Sequence, residues 1–208
     1  MVVVFGPGFE GHPDTVFCNE LKGFDTQELK LAWVARQNEF LIKQVDPLAE
    51  CEAPGKPKLW TPFPLAVMTC IGIEMLGAHK YGDARNDSNR HFRKTVEDMD
   101  EGLKDTKQTP DGQDKPLSDF VYEGFRHSLA HGFYGKWVFI THTPTEIEKW
   151  VYDEQDHTLG LHVYWFYDRF KQLFEQFCES LLSATNEQEE PLRTFLATFK
   201  NKFGMWFN

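Results

Sequence analysis

The side chains with the most chemical capacity stand together in one stretch, Tyr122-Glu-Gly-Phe-Arg126-His127-Ser-Leu-Ala-His131-Gly-Phe-Tyr134. His127 and His131 are four residues apart and would share a helix face, with Glu123 four residues before them on the same stripe. That spacing suits a metal ion. The stretch lacks the Glu that a HExxH metalloprotease carries beside its first His, because Ser128 stands there. Arg126 and His131 are five residues apart. On an ideal helix they point about 140° apart, so one regular helix does not aim both at one phosphate. The gap closes if the helix loosens at Gly132, or if two copies of it meet across a two-fold axis. Glu74 is the only carboxylate between Glu52 and Asp83 and lies in a strongly apolar run. If buried it needs a donor, and Arg126 is the one that pairing the two helices would supply.

The elements that must hold these residues are mainly helical. Residues 1–24 carry Gly and Pro without a sustained period and read as an irregular arm. From Asp25 or Thr26, either of which can cap a helix, through Leu31, Val34, Phe40, Leu41 and Val45 to Pro47 the pattern predicts a first helix. A Pro-rich loop comes next, and then Pro64 opens a run to Ala78 that is apolar nearly all round, as expected of a central helix. Phe92, Val96 and Met99 mark a third helix, and the wholly polar segment Lys104 to Pro116 reads as a mobile loop. Leu117 to Tyr134 reads as a fourth helix with Val121, Phe125, Leu129 and Phe133 buried. Residues 137–163 are rich in β-branched and aromatic side chains broken by turns, predicting a small antiparallel β insert. An aromatic-rich helix from Tyr164 to Ser183 and a last helix after Pro191 complete the pattern. The expected architecture is an up-and-down helical bundle, one domain over residues 25–208, with the β insert around 137–163.

Composition narrows the function. The chain has 208 residues, 41% of them hydrophobic and 15% aromatic, with nineteen Phe, which excludes disorder as its main state. Its net charge of −10 leaves no overall basic field to hold nucleic acid through counterion release, so any such role needs a local site. The apolar run from Pro64 to Ala78 contains Glu74 and falls short of the ~20 helical residues that cross a bilayer. The opening Met1-Val-Val-Val-Phe5 lacks a basic flank and makes a poor signal peptide, so the expectation is a cytoplasmic protein without a membrane partner. Cys18, Cys51, Cys70 and Cys178 are scattered without a CxxC pair, against a zinc knuckle or a disulfide scaffold.

Two segments, Cys70-Ile-Gly-Ile-Glu74-Met-Leu-Gly77 and Phe125-Arg126-His127-Ser-Leu-Ala-His131-Gly132, together resemble the HEPN superfamily (higher eukaryotes and prokaryotes nucleotide-binding domain). That family's motif is an Arg, a short spacer that usually begins with Asn, Asp or His, and a closing His. Arg126, His127 and His131 match it position by position, and the phrase from Leu159 to Leu182 is similar to the segment C-terminal to the motif in some members. The resemblance implies a metal-independent endoribonuclease without a cofactor, of a kind often found in toxin–antitoxin or antiviral systems, with its site between two paired domains of a homodimer. It implies His131 as acid or base, Arg126 as phosphate clamp, and His127 as an orienting or second proton-transfer group. Products would be a 2′,3′-cyclic phosphate and a 5′-hydroxyl.

Plainer readings stand beside this one. Arg126 could neutralise Glu74 in the core, and His131 could cap the fourth helix. The chain would then be a non-catalytic module that binds a nucleotide or a protein partner, such as an antitoxin, through the same cleft. His142, His157 and His162 cluster around the predicted strands and could converge as ligands, although alternating exposed strand positions explain them equally well. His79 and His91 are expected on the loop side of the bundle, lining the same cleft. Trp206 and Phe207 are expected to pack on the bundle or on a partner.

Overall fold

The computed structural model describes residues 24–50, 62–82, 88–127, 137–141 and 148–203. The described chain is mainly helical, with two small sheets. Helix α1, Thr26–Gln37, starts where the sequence predicts, because Asp25 and Glu28 form a reciprocal capping box. It does not run on as one regular helix to Pro47. The turn widens into a π-helical segment, Asn38–Lys43, before the short α2, Asp46–Glu50. Of the predicted face, Val34, Leu41 and Val45 are buried, together with Trp33 and Ile42, while Phe40 is half-buried and Leu31 is 51% exposed. Lys30 sets that exposure. Its side chain is buried, and its ammonium donates to the carbonyls of Leu182 at 3.3 Å and Ala184 at 2.6 Å, so Leu31 turns outward.

Helix α3, Pro62–Tyr81, is the centre of the molecule and packs against α4 (Ser88–Met99), α6 (Val163–Ser183) and α7 (Leu192–Phe203). It has the length and apolar character to cross a membrane, being longer than the run read from the sequence, yet 61% of its apolar window is buried inside the fold. Two glycines allow the close approach. A Cβ on Gly72 would stand 2.4 Å from Cζ of Phe170, and one on Gly77 would stand 2.8 Å from the carbonyl oxygen of His91. Phe92, Val96 and Met99 bury the inner face of α4, as predicted, and Arg169 donates through Nε and Nη2 to the carbonyl of Met99.

The polar segment after α4 is not a mobile loop. A 3₁₀ turn, Glu101–Lys104, leads into a hairpin of β1 (Thr106–Gln108) and β2 (Asp114–Pro116), with Lys107 opposite Lys115. Its turn is set by one side chain and one glycine: the Thr109 hydroxyl accepts from the Gln113 amide at 3.0 Å, and Gly112 takes φ +80°. The predicted fourth helix begins at Leu117, but after the single turn α5, Leu117–Asp119, it opens into a second π-helical segment, Phe120–His127. Leu117, Phe120, Val121 and Tyr122 are buried there; residues 128–136, with the expected Leu129 and Phe133, lie outside the described residues.

The β insert is mixed rather than antiparallel. Strands β3 (Val138–Thr141), β4 (Trp150–Asp153) and β5 (Thr158–His162) lie in the order β3-β5-β4, with β5 antiparallel to β4 and parallel to β3. The chain crosses from one edge to the other before β4 turns back, so β5 takes the centre and runs in the direction of β3. His162 ends β5 and caps α6, its Nδ1 accepting from the Trp165 amide at 3.2 Å. On α6 the side chains of Phe166, Tyr167, Phe170, Phe174 and Phe177 are buried in the core, while Trp165 is half-buried. Trp206 and Phe207 lie outside the described residues.

Candidate functional site

Glu74 and Arg126 meet where the π segment Phe120–His127 passes α3. Arg126 Nη2 donates to both carboxylate oxygens of Glu74, at 2.9 and 2.8 Å, and Nε donates to Oε2 at 3.2 Å. The donor expected for Glu74 is therefore the one it has. The pair is not sealed in the core, however: the Arg126 side chain keeps 26% and that of Glu74 38% of its exposure. Tyr122 lies beneath the guanidinium, 5.6 Å from its ring centre. Burial opposes the Arg126 charge, but hydrogen bonding to Glu74 and its charge outweigh that and raise the pKa of Arg126. Cys70, one turn earlier on α3, is fully buried, and desolvation raises its thiol far above the usual range against the pull of Arg126.

Around this pair the polar side chains are tied to one another. Lys115 of β2 reaches Glu123 at 2.6 Å, Arg93 of α4 reaches Asp119 at 2.7 Å, and Ser118 donates to Glu97 at 2.8 Å. Burial raises the Asp119 carboxyl above the usual range although Arg93 pulls it down. Glu123, read from the sequence as a possible metal ligand, thus faces a cation. Among the described residues no group of three or more His, Cys, Asp or Glu side chains is placed to hold a metal ion.

The other sequence-derived site residues fall in different places. His127 ends the π segment in its backbone, while its side chain and the whole of His131 and Gly132 lie outside the described residues. His79 does not line a cleft. It is buried, with its ring 4.8 Å from Trp33 and 5.8 Å from Phe195, and its Nδ1 donates to the Met75 carbonyl at 3.0 Å. His91 lies 6.2 Å from the Tyr81 ring. His157 sits in the β4–β5 turn with its Nδ1 2.9 Å from the Tyr152 hydroxyl, whereas His162 is at the far end of β5. Five residues of strand separate those two by roughly 16 Å, so they do not converge; His142 lies outside the described residues.

Sequence reasoning missed three partners of this surface: Tyr122 under Arg126, Lys115 on Glu123, and Arg93 on Asp119. The first had a signal, since Tyr122 and Arg126 are four apart. The other two depend on how the β1–β2 hairpin and α4 fold back over the π segment. No protein-family model, curated protein or solved structure matches the chain.

Proposed function

We propose that this protein is a HEPN-type, metal-independent endoribonuclease that works in the cytoplasm as a homodimer, with α3 as a core helix and not a membrane span. The observation that carries the reading is that Arg126 is anchored and open at once: three hydrogen bonds fix its guanidinium, and a quarter of the side chain still meets solvent. In the reaction, the ribose 2′-oxygen loses its proton to a base and attacks the adjacent phosphorus. The P–O5′ bond breaks, and the departing 5′-oxygen takes a proton from an acid. His131 serves as base or acid, a role suited to imidazole, and His127 orients it or carries the second proton. Arg126 bears on the phosphate oxygens as negative charge builds there. The net charge of −10 suits a small site that reads a few nucleotides, or a partner that supplies further RNA surface.

A second reading is favoured by the same ion pair, because Glu74 neutralises much of the charge a phosphate would seek. The chain is then a binding module for a nucleotide or an antitoxin-like protein. RNA cleavage in EDTA by wild type, His131→Ala and Arg126→Ala, with circular dichroism of each, separates the two. The ribonuclease reading expects cleavage by wild type alone among three folded proteins. Absence of cleavage by wild type on both structured and single-stranded RNA supports the module, and loss of fold in both variants makes the motif structural.

A further inference from the structure

We infer that Glu74 is a positioning residue for phosphate recognition by Arg126, an inference that rests on the ribonuclease reading above. A guanidinium carries five N–H donors in a planar fork. Glu74 takes those on Nε and Nη2, and among the described residues nothing accepts from Nη1, which leaves that end of the fork for a ligand. The Tyr122 ring lies against the guanidinium carbon at 5.6 Å, so a face as well as an edge of the group is held. An arginine side chain free in solvent would have to be ordered at binding; this one is ordered beforehand.

The placement of Glu74 supports a role beyond filling space. It is the single acidic residue of α3, a helix otherwise apolar nearly all round, and its side chain is 38% exposed. A helix face with that exposure needs no ion pair to stay folded, and surface pairs contribute little to stability. Ile71, one turn earlier on the same face, is 50% exposed, so an apolar residue is tolerated there in solvent. What the carboxylate supplies is direction. It receives one edge of the fork, so an incoming anion meets Nη1 and cannot take the Nε edge.

The test is Glu74→Gln in the full chain, with kcat and KM for a short oligoribonucleotide measured in EDTA. Glutamine keeps the shape but loses the charge and one acceptor, so the fork is both freed and loosened. The expected result is kcat lower by roughly tenfold to a hundredfold, with KM unchanged or lower, at an unaltered melting temperature. Wild-type kcat and KM in the variant, or a kcat that rises because Glu74 competes with the phosphate, would overturn the inference. Arginine side-chain NMR gives a readout that does not need turnover. Adding a 2′-O-methyl oligoribonucleotide should shift the Arg126 Nη signals and leave Nε in place in wild type, and shift both in the variant. If wild type cleaves nothing but this pattern is seen, the ribonuclease reading fails and the role of Glu74 stands; movement of Nε in wild type removes that role.

Discussion

Single side chains fix relations between distant parts of this chain, and Lys30 is the clearest case. Its ammonium is buried at the point where α6 ends, donating to the Leu182 and Ala184 carbonyls, which have no further helical N–H to receive. Lys30→Met keeps the length of the side chain and removes the donor, leaving those part-buried carbonyls without it. It should cost about 1–3 kcal/mol. A urea titration would show this as a lower midpoint at unchanged slope; an unchanged midpoint would mean that water replaces the ammonium. Tyr167 makes a similar tie at the start of α2, donating to Asp46 at 2.8 Å beside Lys171. Burial and the Asp46 carboxylate together hold its phenol far above the usual range, so it remains a donor at any working pH.

At the scale of elements, the close packing of α3 on α6 depends on Gly72. Alanine there would bring a methyl carbon to 2.4 Å from Cζ and 2.8 Å from Cε1 of Phe170, whose ring is 1% exposed and backed by Phe174. Helix propensity would return up to ~1 kcal/mol, against about 1–3 kcal/mol for the forced repacking. Gly72→Ala should therefore lower the urea midpoint, and a gain in stability would show that the two helices can separate without loss. Elements of this kind were legible in the sequence where the cause is local. A cap at Asp25 or Thr26 marks the start of α1, and the aromatic period marks α6. The all-round apolar character of α3 marks the core. The β1–β2 hairpin was not legible, because it carries no apolar alternation and is held by Thr109 and Gly112 in its turn. The two π segments were not legible either, since their i→i+5 spacing departs from the period that helical patterns are matched to. The strand order depends on a crossover that no local pattern records. In the site, the partner of Glu74 could be read because Glu74 is the lone carboxylate of its apolar run and Arg126 is the cation that pairing the two helices brings to it. His79 could not, since the Trp33 and Phe195 rings that enclose it come from remote elements.

At the scale of the molecule, the described residues form a mainly helical fold in an acidic chain, with Arg126 held fixed and partly open to solvent. A chain of net charge −10 will not collect RNA by bulk attraction. If it acts on RNA, the contact is local and a few phosphates suffice, which ties function to Arg126, Glu74 and the residues leading on toward His131. The most direct measurement of that claim is the chemistry of the cut ends. End-labelled RNA incubated with the purified full chain in EDTA should yield fragments with 2′,3′-cyclic phosphate and 5′-hydroxyl termini, as attack by the 2′-oxygen requires. Fragments bearing 5′-phosphate, or RNA left intact until a divalent metal is added, would contradict it.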